Sequence, residues 1–373
     1  MKNELSNLVE ISRYYGNNPE YVIAGGGNTS YKNEHYLWIK ASGTSLATIT
    51  EGGFAKMDRS CLAGIARKSY SNDPLKREAE IIKELFKCVA DNSGLRPSVE
   101  TSLHNLLNFS YVVHTHPTLV NGLMCSKYSG KVTREIFGDD ALLVEYTDPG
   151  YILFKLVEKR IAEYVKKYGK EPQIIFLENH GVFVCANTID EIRNRYSEIT
   201  EKILDKIPYG FPSSELTKQD NPLLTEVTSI NKNHLARFYQ SPLIEEFTRN
   251  KESFAMAGTA FSPDNIVYCK AHYLFTQPEP DILKQDYLGF EKKFGYFPKV
   301  VALEKSGIIC LEENENSLNT VYEVFLDILK ISFYTRNFGG PRFMTPEQIE
   351  FIDNWEVENY RRKVAKKSDD VTT

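Results

Sequence analysis

His114 and His116, in Tyr111-Val-Val-His-Thr-His-Pro117, are the residues of this sequence best placed to do chemistry. Side chains on a β-strand alternate faces, so a strand through both would turn their imidazoles to one side. Val112 and Val113 favour such a strand, and Pro117, which has no backbone N–H, ends it. Two neutral imidazoles side by side form a chelate for a borderline cation, zinc above all. A bare His-x-His also occurs in ordinary packed strands, so its meaning depends on the residues around it.

His180 closes a run of strand character, Gln173-Ile-Ile-Phe-Leu-Glu-Asn-His-Gly181, where a tight turn can present it as a third ligand. Three imidazoles leave one coordination position open, the arrangement of a catalytic metal and not of a closed structural one. Glu100, in Pro97-Ser-Val-Glu100, opens a helix one element before the histidine strand. A carboxylate there can act as a general base beside the metal, or can simply favour the helix dipole. Two small-residue turns, Gly25-Gly-Gly-Asn-Thr-Ser30 and Ala41-Ser-Gly-Thr-Ser45, offer amides and hydroxyls to an anion such as phosphate, or only reverse the chain.

The elements that must position these groups can be read from periodicity and caps. Helices are expected over 3–15, over 75–90 with Leu75, Ala79, Ile82 and Phe86 on one stripe, and over 151–168. Ser98 reads as a helix cap. Strands are expected at 36–40, through the histidine pair, and at 173–181. Thr188-Ile-Asp-Glu191 reads as a capping box opening a helix to about Ile207. The fold class is α/β, with a mixed, mostly antiparallel central sheet flanked by helices.

A length of 373 residues suggests two domains, and Pro208, Pro212 and Pro222 mark a break. The expected division is a catalytic domain at 1–207, a linker at 208–224 and a second α/β domain at 225–373. Pro172-Gln-Ile-Ile-Phe-Leu-Glu-Asn-His-Gly-Val-Phe-Val-Cys185 lies over Pro298-Lys-Val-Val-Ala-Leu-Glu-Lys-Ser-Gly-Ile-Ile-Cys-Leu311 without a gap. The C-terminal half therefore reads as a diverged copy, with Ser306 in place of His180 and no metal site.

Hydrophobic content of 42% with 25% charged residues is that of a soluble globular chain. The formal net charge of −5 gives no basic footprint for nucleic acid. A charged N-terminus and the lack of any run long enough to span a bilayer point to a cytoplasmic protein without a membrane partner. Cys61, Cys88, Cys125, Cys185, Cys269 and Cys310 form no Cys-x-x-Cys pair and are expected to be reduced, buried thiols.

Gly27-Asn-Thr-Ser30, Ala41-Ser-Gly43, Pro97-Ser-Val-Glu100, His114-Thr-His116 and Asn179-His-Gly181 together resemble the class II aldolase/adducin family. Trp38-Ile-Lys-Ala-Ser-Gly-Thr44, Arg96-Pro-Ser-Val-Glu-Thr101 and Thr133-Arg-Glu-Ile-Phe-Gly138 are closer still to the aldolase portion of bifunctional rhamnulose-1-phosphate aldolase/alcohol dehydrogenases. That likeness continues weakly through Ser262-Pro-Asp264 and Trp355-Glu-Val-Glu358, and no Gly-x-Gly-x-x-Gly follows residue 230 to represent a dehydrogenase. The resemblance implies that His114, His116 and His180 hold Zn2+ or another divalent metal and that Glu100 is the catalytic base. It implies that Asn28, Ser42, Gly43 and Ser98 bind the substrate phosphate. It also implies a small phosphorylated sugar as partner and a homo-oligomer, a tetramer by likeness.

The implied reaction is retro-aldol cleavage of a ketose 1-phosphate, rhamnulose 1-phosphate as best guess, to dihydroxyacetone phosphate and a short aldehyde. Alternatives are an epimerase or decarboxylase of a sugar-acid phosphate on the same metal, or a non-catalytic adducin-like module. Some family members have two serines before the glutamate where this chain has Ser98-Val99, so Thr44 or Lys40 becomes a substitute phosphate contact. Glu135 is a further acidic candidate by neighbourhood, and Tyr146 or Tyr151 a proton donor to the departing aldehyde. His35 falls in a hairpin turn, His104 either packs or approaches the metal, and His234 and His272 read as structural.

Overall fold

A computed structural model describes residues 2–91, 93–217 and 220–355. Glu356 to Glu358 of the Trp355-Glu-Val-Glu358 motif, and residues 218 and 219 of the expected linker, lie outside them. Two compact units emerge, one from the described residues of 1–124 and 129–206 with Trp355, the other from 125–128 and 207–354.

Seven strands build the first unit: β1 (Asn28–Lys32), β2 (Tyr36–Lys40), β3 (Phe54–Asp58), β4 (Tyr111–Thr115), β5 (Leu142–Val144), β6 (Ile174–Leu177) and β7 (Gly181–Ala186). They lie in the order β3-β2-β1-β4-β7-β6-β5, and every pairing is antiparallel except β5 with β6. This is the expected mixed, mostly antiparallel sheet. Strands β6 and β7 are apolar along their whole length because helices cover them, and Val112 of β4, Ile175 and Phe183 pack with Leu153, Phe154 and Val157 of the helix Tyr151–Tyr168. That helix has the expected bounds and ends on Gly169, whose φ of 69° supplies the left-handed C-cap.

Several local expectations need correction. The helix Pro74–Lys87 buries Glu78, Ile81 and Leu85, while Leu75 and Phe86 of the expected stripe are exposed. The buried carboxylate disguised the stripe. Glu78 accepts the Tyr151 amide at 3.3 and 3.2 Å, and burial raises its pKa. The turn after Gly25 stops at Gly27, and Asn28 already belongs to β1. The capping box at Thr188 is displaced by one residue: Thr188 accepts the Glu191 amide, but the Glu191 carboxylate accepts from Asn187. The helix it opens ends at Leu204.

Reduced thiols at all six cysteines are contradicted. Cys61, early in the helix Arg59–Ile65, and Cys88, closing the helix Pro74–Lys87, form a disulfide with Cα atoms 5.4 Å apart. The spacings in sequence hid this pair because strand β3 and two helices fold back to bring the two ends together. Cys125, Cys185, Cys269 and Cys310 lie outside the disulfide and are buried, as expected.

The second unit carries β8 (Leu235–Tyr239), β9 (Leu274–Thr276), β10 (Val300–Leu303) and β11 (Gly307–Glu312), in the order β8-β11-β10-β9. This reproduces the β4-β7-β6-β5 half of the first sheet, down to the register. Ile174 pairs with Val184 as Val300 does with Cys310, and β9 runs parallel to β10 as β5 does to β6. Asn179 and Lys305 share a left-handed φ of 54°, and their amides donate to Met124 and Thr248, each the last residue of a seven-residue helix. In this register Phe238, Gln240 and Ser306 stand where the first unit has His114, His116 and His180. Within the second unit, the segment after Ile207 is hydrogen-bonded through Ser213 to Leu243 and through Thr217 to Gln240.

Titration of denatured, unreduced protein with a thiol reagent should find four thiols, rising to six after reduction. Cys61→Ser should lower the stability of the oxidised protein by about 3.5 kcal/mol, the chain-entropy value for a loop closed across 27 residues; an unchanged urea midpoint would refute the bridge. His104 gives a second expectation. It is fully buried in the helix Thr101–Leu106, with Nδ1 2.8 Å from Ser30 Oγ, and burial holds its pKa down at about 3. A folded pKa below the unfolded value of 6.5 means stability present above pH 6.5 and lost as pH falls towards 3. At about 1.4 kcal/mol per pH unit the loss reaches several kcal/mol. His104→Asn should therefore flatten the acid limb of the stability–pH curve in chemical denaturation.

Candidate metal centre

The pairing of β1, β4 and β7 brings the expected ligands together. Asn28 lies opposite His114 across β1 and β4, and His114 lies opposite Phe183 across β4 and β7. Strand β4 ends at Thr115, so His116 stands one residue beyond it; its amide donates to the Tyr21 carbonyl. His180 comes from the turn between β6 and β7. There Asn179 adopts its left-handed conformation, and residue 181 must be glycine: a Cβ would collide with the Thr115 carbonyl and the His116 ring.

The three imidazoles converge through their Nε2 atoms. His114 Nε2 is 3.0 Å from His116 Nε2 and 3.4 Å from His180 Nε2, and the ligand atoms of all three lie within 4.8 Å of one another. Two nitrogens bound tetrahedrally at about 2.0–2.1 Å stand about 3.3 Å apart, so the spacing suits a divalent cation. The tautomer suits it as well. His114 Nδ1 donates to the Val182 carbonyl at 3.0 Å, which can only accept, leaving the lone pair on Nε2. Phe183 stacks on the His114 ring with centroids 4.1 Å apart and fixes its plane.

Glu100 completes the group. Its Oε1 lies 3.3 Å from His114 Nε2 and 3.9 Å from His180 Nε2, while Oε2 accepts from Asn28 Nδ2 at 3.2 Å. The helix expected to start at Ser98 starts at Thr101, with Glu100 as its N-cap residue. Ser98 instead accepts two hydrogen bonds at Oγ, from Asn28 Nδ2 at 2.6 Å and from the Glu100 amide at 3.2 Å.

Ser42 is tied by its backbone to the segment that carries Ser98. The Ser42 amide donates to the Arg96 carbonyl at 2.8 Å, two residues before Ser98, and Lys40 Nζ reaches the Gly25 carbonyl at 3.3 Å. The two small-residue turns and the segment Arg96–Ser98 are thus tied to one another. Gly43 is exposed, with a φ of 88°. Thr44, considered as a substitute phosphate contact, turns its hydroxyl to the Ala41 carbonyl at 2.7 Å.

Other candidates stand elsewhere. Glu135 is an exposed helical residue 3.9 Å from Lys131. Tyr146 is half-buried beside Asp148, and desolvation raises its pKa; Tyr151 packs edge-on against Tyr70. His104 packs beneath the centre, bonded to Ser30. His35 sits in the β1–β2 turn and His272 stacks on Phe294. His234 groups with Glu312 and Glu313, though Glu312 already forms an ion pair with Lys299. The clamp of Asn28 on Glu100 escaped sequence reading, since the only available sign was that Asn-Thr-Ser continues into a strand paired with the histidine strand.

Among known proteins, the chain is 23% identical over 301 residues to "Uncharacterized oxidoreductase YuxG" of Bacillus subtilis (strain 168), covering 74% of this chain and 42% of that one. It is 30% identical over 135 residues to the "3-oxo-tetronate 4-phosphate decarboxylase" of Escherichia coli (strain K12), covering 32% and 60%. It is also similar to the "L-fuculose phosphate aldolase" of Methanococcus maripaludis (strain C5 / ATCC BAA-1333), 24% over 212 residues, covering 53% and 92%. The match thus spans less than two thirds of the first two relatives. Residues 6–203, more than half the chain, match the family described as Class II Aldolase and Adducin N-terminal domain, and the protein belongs to the class II aldolase/adducin family.

Proposed function

We propose that this protein is a zinc-dependent aldolase that cleaves a ketose 1-phosphate, rhamnulose 1-phosphate as best guess, to dihydroxyacetone phosphate and a short aldehyde. The observation that carries this reading is the convergence of three imidazole Nε2 atoms with a carboxylate oxygen 3.3 Å from one of them. A structural zinc has no need of an adjacent carboxylate held by an amide, whereas proton transfer at carbon does. A divalent cation held by His114, His116 and His180 would serve as a Lewis acid toward the hydroxyl and carbonyl oxygens of the sugar.

The chain's own residues supply the rest. In the cleavage the hydroxyl on the departing carbon loses its proton to solvent as it becomes the aldehyde carbonyl, and the electron pair of the breaking carbon–carbon bond passes towards the ketone carbonyl to give an enediolate. Glu100 then delivers a proton to the carbon that has lost the aldehyde; in the synthetic direction it removes that proton. Ser98 and the Ala41–Ser45 loop bind the phosphate and so hold the reacting carbon near Glu100, converting binding energy into orientation. The second unit is read as a degenerate copy of the aldolase sheet: Phe238, Gln240 and Ser306 stand at the ligand positions, so each chain carries one metal at this site.

A second reading keeps the centre but makes the substrate a sugar-acid phosphate that loses carbon dioxide. It is favoured by the 30% identity over 135 residues to the Escherichia coli decarboxylase. Incubating zinc-loaded protein with rhamnulose 1-phosphate and with 3-oxo-tetronate 4-phosphate separates the two, since the first route releases dihydroxyacetone phosphate and the second carbon dioxide. Metal analysis should find about one zinc per chain, and chelation should stop turnover reversibly. Glu100→Gln should keep the zinc and lose about 10²–10⁴-fold in turnover. His116→Ala should lose metal and turnover together. A Glu100→Gln enzyme as fast as the parent would eliminate the assignment of the base.

A further inference from the structure

A cleft of about 590 Å³ in the first unit is lined by residues of the helices Arg59–Ile65, Thr101–Leu106 and Tyr151–Tyr168. That volume lies in the range of small-molecule sites. The histidines, Glu100 and the Ala41–Ser45 loop take no part in it. Its lining joins apolar Leu62, Leu106 and Phe154 to polar Arg59, Ser102 and Asn105.

Arg59 is the anchor. Its half-buried guanidinium donates from Nε to Asn105 Oδ1 at 2.9 Å and from Nη1 to the Asn33 carbonyl at 2.7 Å. Two neutral acceptors thus fix its plane, and no carboxylate among the described residues pairs with its charge. Asp58, its neighbour in the chain, accepts instead from the Ser60 hydroxyl at 2.7 Å and the Cys61 amide at 2.8 Å. Glu158, which also lines the cleft, pairs with Lys155. The exposed Glu34 and Arg67 offset each other, so the charge of Arg59 is left over. The disulfide between Cys61 and Cys88 ties down the helix that carries it.

The neutral groups beside Arg59 are donors. With Oδ1 turned to the guanidinium, Asn105 keeps Nδ2 without a partner among the described residues. Reversed, the amide would set nitrogen against nitrogen, donor facing donor. Ser102 is 7% exposed, and its hydroxyl has no hydrogen-bond partner among the described residues. Lys32, which precedes Asn33, is a second cation without a carboxylate: its Nζ donates to the Phe109 carbonyl at 2.6 Å. Burial, with Arg59 near it, holds its pKa down at about 7. One anion at Arg59 would relieve both.

We infer that this cleft binds a small organic carboxylate, Arg59 taking the anionic end while Leu62, Leu106 and Phe154 cover an apolar body. A single anchored guanidinium matches one carboxylate. A phosphate dianion would meet Glu34 and would leave the apolar lining uncovered. The site goes beyond the aldolase reading and shares no residue with it.

Phenylacetate, followed by saturation-transfer NMR, is the probe. It should bind the parent saturably, with a Kd on the order of 1 mM, and equally with and without zinc. Phenylacetamide, of the same shape without the charge, should bind at least about tenfold more weakly, and so should phenylacetate to Arg59→Gln. Ala63→Trp leaves Arg59 in place and fills the cleft from an exposed helical position, so it should abolish binding if Arg59→Gln does not fold.

Binding that requires zinc, or that survives either substitution in folded protein, would put the probe elsewhere and overturn the inference. Failure of the parent to saturate would overturn it, as would equal binding of the amide. Inorganic phosphate displacing phenylacetate at a lower concentration than acetate does would overturn the carboxylate assignment. A protein that cleaves no sugar phosphate yet binds phenylacetate as described would remove the aldolase reading and leave this one standing.

Discussion

The close crossing of β4 and β7 at Gly181 is the constraint on which the rest of the site depends. The backbone of β7 begins so near Thr115 and His116 that no side chain fits there. That proximity lets a residue one position earlier, His180, meet His114, 66 residues upstream in sequence, and His116 just beyond the same strand. It also places the Val182 carbonyl under His114 Nδ1, so one crossing settles both where the first ligand stands and which nitrogen it presents. Burial does the remainder: neutral imidazoles tolerate a dry sheet interior that charged ligands would resist.

Much of this was legible in the sequence because it depends on local rules. The alternation of side chains along a strand predicts that His114 and His116 share a side, and they do, although β4 stops at Thr115. Gly169 and Thr188 bound their helices as caps should. What was not legible needed a third dimension. Glu78 is a charged residue at a buried helical position, held there by the Tyr151 amide, and no helical periodicity in one segment announces a partner 73 residues away. Cys61 and Cys88 are joined by the folding-back of two helices. Asn28 reaches Glu100 because β1 pairs with β4, a pairing that composition does not reveal.

The site also shows how a small set of neutral groups organises a charged one. Glu100 is flanked by an imidazole on one oxygen and an amide on the other. Neither partner is a permanent cation, so the carboxylate is oriented without being neutralised. An arginine in place of Asn28 would hold it more firmly and make it a poorer base. Beneath, His104 and Ser30 fill the space under the strand with a neutral hydrogen-bonded pair, keeping a further charge away from the centre.

The repeat in the second unit carries one more consequence. Lys305 holds the same left-handed φ as Asn179, and Gly307 lies as close to the Tyr239 carbonyl as Gly181 does to that of Thr115, yet Ser306 replaces the histidine. The shape of the hairpin therefore follows from its left-handed residue and the glycine two positions on, and not from a histidine between them. The second unit thus acts as a natural control for the first: the turn that presents His180 forms equally well around a serine. His180 is in that sense mounted on a frame that stands without it, so exchanging that one side chain alters what the turn offers and leaves the turn itself in place.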